Sequence, residues 1–134
     1  MQQILPRDSS TAAAAVERSI RAALFGRRAY VRLELITSTV SEVTTVSLEQ
    51  MKSSRSVRHF NEARRLVCAI ARKYAPDLST ATLALYLNKS PKIVTRMLRV
   101  SYRIRHHDEE RRVVQGIERI MYTALVRVAQ SQHA

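Results

Sequence analysis

The sequence is short of the residues that turn a chain sharply, with two glycines and three prolines in 134 residues. A β-rich domain of this size needs many Gly, Asn and Pro turns, so the scarcity points to a few long helices joined by short loops. Tryptophan is absent and aromatics make up only 5%, which leaves aliphatic helix-helix contacts to fill the core. The tyrosines at 30, 74, 86, 102 and 122 are scattered, without the aromatic interleaving on which single-stranded nucleic acid stacks. The single cysteine, Cys68, lies in the apolar run Leu66-Val67-Cys68-Ala69-Ile70. It permits neither a disulfide framework nor a thiolate zinc site and is expected to be a buried small hydrophobe. With glycine only at 26 and 116, no Gly-rich loop can cradle phosphates. No run approaches the ~20 apolar residues of a membrane span. The start, Met1-Gln2-Gln3-Ile4-Leu5-Pro6, lacks the basic-then-apolar layout of a secretory signal, so a cytoplasmic location is expected.

Acidic residues are also scarce, 11 Asp and Glu against 23 Lys and Arg, a formal net charge of +12. Such an imbalance implies a polyanionic partner, and nucleic acid is the commonest one for a basic domain. With 46% hydrophobic residues, the chain can bury a core, and its length suits one domain over residues 1–134.

Hydrophobic periodicity gives an all-α compact domain. Residues 1–9 are polar and expected to be flexible, with Ser9 or Ser10 capping a helix that carries Val16, Ile20 and Leu24 and ends near Gly26. From Ala29 to about Thr45, the stripe Leu33, Ile36, Val40, Val43 predicts a second helix, although Val31-Leu33-Leu35 also fits a strand. Ser47 to Met51 reads as a short capped turn of helix, followed by the basic loop Lys52-Ser53-Ser54-Arg55-Ser56. A long helix is predicted from about Asn61 to Tyr74, burying Ala63, Leu66, Val67, Ile70 and Ala71, and it must stop before Pro76. Two more follow, Ser79 to Leu87 and Ser90 to about Arg105. A last helix from about Asp108 aligns Val114, Ile117, Met121, Leu125 and Val128. The N-terminal and C-terminal amphipathic helices either complete the core or join two copies. A homodimer is slightly favoured, because paired half-sites raise affinity.

Residues 79–104 fit a helix-turn-helix, in which one helix braces a second whose N-terminal half enters the major groove. Ala81 and Ala84 are small enough for a close crossing, Leu83 and Leu87 are the apolar positions, and Asn88 tolerates the left-handed backbone of a tight turn. Ser90-Pro91 is a specific helix start, since Ser accepts an orphan amide and Pro loses nothing at the first helical position. Beyond it, Val94 and Leu98 share one face with Ser101 or Tyr102, and Ile93 and Met97 flank it. Lys92, Thr95, Arg96, Arg99 and Arg103 form the opposite stripe. An ordinary solvated face mixes charge signs, whereas residues 88–105 contain no Asp or Glu. Arg96 and Arg99 can each offer a bidentate contact to guanine, and Lys92 a base or phosphate contact. Lys89 at the turn is expected on phosphate, as are Ser79 and Ser90 at helix starts.

At these residues the chain resembles the C-terminal DNA-binding domain of the bacterial replication initiator DnaA, of the Trp-repressor-like helix-turn-helix group. The resemblance covers about residues 36–120. Val46-Ser47-Leu48-Glu49-Gln50-Met51-Lys52-Ser53-Ser54-Arg55-Ser56-Val57 is similar to that domain's first helix end and basic loop. Ala63-Arg64-Arg65-Leu66-Val67-Cys68-Ala69-Ile70-Ala71 is similar to its next helix, and Ser79 to Ala84 to the helix leading into the turn. The resemblance implies that the loop, Lys52 and Arg55 included, meets DNA, with Arg55 in the minor groove. The family's Gly-Gly-Arg-Asp-His turn is replaced by Asn88-Lys89-Ser90-Pro91-Lys92, so the bases read are expected to differ. With no phosphate-cradling loop in the sequence, the domain is expected to stand without the initiator's ATPase module.

The function expected is sequence-specific binding of double-stranded DNA by a bacterial or phage transcriptional regulator, nucleoid-associated and without catalysis or cofactor. The alternatives are replication or plasmid-copy control by competition at initiator sites, and a helical adaptor whose basic face meets an acidic protein. His106-His107-Asp108-Glu109-Glu110 carries metal-capable side chains, but neighbours on a helix diverge, and its acids suit a helix start. A Cys68–His59 nucleophile pair lacks an orienting third group.

Overall fold

The computed structural model describes the backbone of residues 4–102 and 107–133, and the side chains of residues 12–99 and 109–130. The described residues form seven α-helices joined by short loops, with no strand among them: α1 (Ile4–Leu24), α2 (Ala29–Thr44), α3 (Leu48–Lys52), α4 (Arg58–Tyr74), α5 (Thr80–Leu87), α6 (Pro91–Tyr102) and α7 (His107–His133). None of the helices is long and apolar enough to cross a membrane.

The centre of the molecule is α4, which packs against α2, α3 and α6. Its predicted stripe of Ala63, Leu66, Val67, Ile70 and Ala71 is buried, together with Phe60, Cys68 and Tyr74. The helix starts at Arg58 rather than Asn61, because Phe60 adds one more anchoring position a turn before Ala63 and Arg64. It ends at Tyr74, and the Ala75 N–H closes the last turn on Ala71 O at 2.7 Å, one residue before Pro76. Around α4, α1 lies against α7, and α7 also meets α2 and α6. Ile20, Leu24, Ile117 and Met121 join the same core as Leu33, Ile36, Leu83, Leu87 and Val94.

In α2 the β-branched density does not produce a strand. Thr37, Thr39 and Thr44 each return their hydroxyl to the carbonyl four residues back, at 2.8, 2.8 and 2.7 Å, so a buried Thr costs the helix no unsatisfied group. The buried face runs through Leu33, Ile36, Thr37 and Val40 and continues to half-buried Thr44. Val43, predicted in the stripe, is 40% exposed. Thr45 ends the helix in the left-handed region at φ 61°. Ser47 then starts α3 with a reciprocal capping box: Ser47 Oγ accepts the Gln50 amide at 3.1 Å, and Gln50 Oε1 accepts the Ser47 amide at 2.9 Å.

The outer helices differ from expectation at their ends. α1 begins at Ile4, so Ser9 and Ser10 lie within it instead of capping it. On α7, Val114 and Leu125 flank buried Ile117 and Met121, but Val128 is 46% exposed, too far along the helix to reach that cluster. Glu118, one position from Ile117, is buried.

Candidate nucleic-acid interface

Of the exposed cations, Lys52, Arg55, Lys92, Arg96 and Arg99 are carried by α6 and by the end of α3 with the loop that follows it, while Arg27, Arg28, Arg112, Arg119 and Arg127 are exposed on other elements. Ser79 caps α5, its Oγ accepting the Thr82 amide at 3.0 Å. Leu83, Ala84 and Leu87 are buried, but Ala81 is exposed, so the close approach to α6 rests on Ala84 and not on both alanines. Asn88 takes φ 57°, ψ 44°. Its amide bonds to Leu85 O at 3.1 Å and the Lys89 amide to Ala84 O at 2.8 Å. This pair of bonds is a Schellman motif, which reverses the chain in two residues and serves the Ala84 and Leu85 carbonyls at the end of α5. Ser90 then opens α6, with Oγ accepting the Ile93 amide at 3.3 Å and Pro91 in the first helical position.

Val94 points into the core, and Met97 and Leu98 are half-buried against it. Lys92, Thr95, Arg96 and Arg99 are all exposed on the other side. Arg103 and the predicted end at 104 lie outside the described residues.

The basic loop lies beside the start of α6. Lys52 and Arg55 are exposed, and the Arg55 guanidinium stacks over the Phe60 ring at 5.8 Å. The opposite support is Arg64, 5.9 Å from the same ring and 1% exposed. Its guanidinium donates to Met51 O at 2.7 Å, Asn61 Oδ1 at 2.6 Å, Gln50 O at 3.1 Å and Ser53 O at 2.9 Å. The carbonyl ends of α3 and the first loop residue are thus held by a buried cation, which also meets the negative end of that short helix. Burial pulls the Arg64 pKa below its ordinary value.

From the other side the α5–α6 turn reaches the same loop. Asn88 Nδ2 donates to Lys52 O at 3.2 Å, and Lys89 Nζ to Ser53 O at 2.5 Å and Lys52 O at 3.4 Å. Lys89 is half-buried, and desolvation, then the nearby Arg64 charge, lowers its pKa. An open groove of about 420 Å³ remains between loop and helix, lined by Arg55, Ser56, Ser90 and Met97 among others. The structure therefore brings Lys52, Arg55, Lys89 and Ser90 together at the start of the stripe Lys92, Thr95, Arg96, Arg99. Ser79 is apart, at the far end of α5.

Sequence reasoning missed Arg64, Phe60 and Asn61. The one available signal was Arg64's position between Ala63 and Val67, on the buried face of α4. It also missed a second polar cluster away from this interface. There Glu118 accepts the Tyr74 hydroxyl and pairs with Lys73 Nζ at 2.9 Å, while Lys73 also reaches Glu17 at 2.8 Å. Arg32 forks onto Asp77 at 2.8 and 3.0 Å and donates to Tyr74 O at 2.8 Å, fixing α2 to the end of α4.

Cys68 is fully buried, its thiol pushed up to about 12 by desolvation. His59 is exposed half a helical rotation away on the same helix, so the two do not meet. Among the described residues no three His, Cys, Asp or Glu side chains gather as metal ligands. His106 and the side chains of His107 and Asp108 lie outside the described residues.

The fold and site define an all-α basic domain presenting one helix and one loop on a common face. Comparison of the chain with protein-family models, curated proteins and solved structures finds no match.

Proposed function

We propose that this chain binds double-stranded DNA as a sequence-specific regulator of transcription, acting by occupying its site. In this reading α5 and α6 are a helix-turn-helix of the DnaA or Trp-repressor-like kind. The α6 stripe enters the major groove and the Arg55 loop enters the adjacent minor groove. The observation that carries it is the shared face: Lys92, Thr95, Arg96 and Arg99 are exposed on a helix whose start is bonded, through Asn88 and Lys89, to the loop bearing Arg55. Arg96 and Arg99 read bases, Arg55 reads minor-groove width or edges, and Lys52, Lys92, Ser90 and Ser79 serve phosphates.

Selection from a random duplex pool tests this directly. The expected result is an enriched motif whose affinity falls steeply with salt. Arg96→Ala and Arg99→Ala should each cost about 1–3 kcal/mol and relax preference at one base pair. Failure to enrich any motif, together with salt-independent or absent binding, would refute the proposal and favour an acidic protein partner.

A further inference from the structure

Lys89 lies two residues before Pro91, the first residue of α6, a place where a phosphate contact is commonly expected. Its geometry differs from that of the exposed cations around it. Where Lys92, Arg96 and Arg99 project freely, Lys89 is half-buried and its ammonium is already engaged by the carbonyls of Ser53 and Lys52, 2.5 and 3.4 Å away. Asn88 adds a third bond to the same segment, from Nδ2 to Lys52 O at 3.2 Å. These contacts join residues about 36 apart in the chain. Arg64 holds Ser53 O from the other side at 2.9 Å, so the loop is clamped between α4 and the α5–α6 turn at Lys52 and Ser53, three and two residues before Arg55.

We infer that Lys89 is a positioning residue: it fixes the Arg55 loop to the start of α6 and does not itself contact DNA. The inference rests on the DNA-binding proposal. The two elements that read DNA have a set spacing only while this clamp holds. A loop left free must order itself on binding, which weakens whatever Arg55 contributes. An ammonium spent on loop carbonyls displaces no counterion from DNA, and this separates the inference from a phosphate contact.

The test is a double-mutant cycle on the enriched duplex. Lys89→Met keeps the aliphatic stem and removes the donors; its partner in the cycle is Arg55→Ala. A positioning role predicts that Arg55→Ala alone weakens binding roughly tenfold or more and Lys89→Met alone by a similar factor. The double variant should then lie within about twofold of the weaker single one. It should also keep the salt slope of Arg55→Ala, and the base preferences set by Arg96 and Arg99 should be unchanged. A phosphate contact predicts instead that the losses multiply and that the slope of the double variant falls by roughly one further unit; either result overturns the inference.

Asn88→Gly supplies a second cycle should Lys89→Met not fold. Glycine keeps the left-handed backbone and loses only the bond to Lys52 O. The expected result is a smaller loss that vanishes in the Arg55→Ala background, and a loss that persists there overturns the inference. If the unaltered protein binds no duplex, the DNA-binding proposal itself fails, and the inference with it. If it binds and the losses multiply, only the role of Lys89 falls.

Discussion

Replacing Arg64 with Met isolates the support beneath the basic loop. Methionine matches the length of the buried stem but offers no donor, so four hydrogen bonds are lost at once. They are not equal. Gln50 O keeps the Ser53 amide and hydroxyl at 3.2 and 2.7 Å, and Ser53 O keeps Lys89. Met51 O loses the 2.7 Å donor that served it. Leaving one buried carbonyl unserved costs about 1–3 kcal/mol, and the lost charge-assisted bonds add about as much. Against this, a guanidinium no longer has to be desolvated. The net expectation is a loss of about 2–4 kcal/mol. A chain of this length unfolds with an entropy of about 0.28 kcal/mol/K, so the midpoint should drop by about 7–14 °C in a calorimetric scan. Arg64→Lys should recover only part of this, since an ammonium cannot span the same carbonyls as a planar fork. A midpoint within about 2 °C of the unaltered protein would refute the argument that Arg64 holds α3 and the loop.

Gly116 lies within α7, where an added Cβ would meet no heavy atom within 4 Å; Gly116→Ala should therefore stabilise by about 0.5–1 kcal/mol, read as a raised melting temperature. Glu118→Gln removes one of the two carboxylates on the Lys73 ammonium and should destabilise by about 2–3 kcal/mol in denaturant titration. Stability should decline at alkaline pH. The fold raises the pKa of Cys68 from 9.0, of Tyr74 from 10.0 and of Lys73 from 10.5, so the native state keeps protons that the unfolded chain has released. Midpoints measured across pH should thus fall from about pH 9, and in Cys68→Ala only from about pH 10. At the acid end Glu17, lowered chiefly by its hydrogen bond to Lys73, withdraws its contribution as pH falls below its unfolded value of 4.5.

What could be read from the residues was local. The Ser47 and Ser79 caps, the left-handed Asn88, the Ser90-Pro91 start and the stop before Pro76 involve chemistry within a few residues. The outward set Lys92, Thr95, Arg96, Arg99 follows from a 3.6-residue period once Val94 is placed inside. Arg64, Lys89 and Glu118 were not legible, because their partners lie 11–14, 36–37 and 44–45 positions away. Charge alone does not distinguish a cation that binds its own backbone from one offered outward. Ala81 and Val43 were misplaced for a related reason. Periodicity names a stripe, but which neighbouring helix covers each end of it is set by packing.

The cluster at Lys73 bears on the order in which the molecule assembles. Glu17 and Glu118 meet there on one ammonium, 56 and 45 residues from Lys73 along the chain, whereas the clamp between Lys52, Ser53 and Lys89 closes 36 to 37. Closure entropy grows with the logarithm of loop length, roughly 0.6 kcal/mol per doubling, so these lengths differ in closure cost by only a few tenths of a kcal/mol. What sets the bridge apart is that α1, α4 and α7 must all be in place before both of its bonds exist, so a transition state in which any one of the three is undocked lacks it. Bonds made after the rate-limiting barrier slow escape from the native state without hastening arrival. The Glu17–Lys73–Glu118 bridge is accordingly expected to act as a latch on unfolding, Glu118→Gln raising the unfolding rate more than it lowers the folding rate.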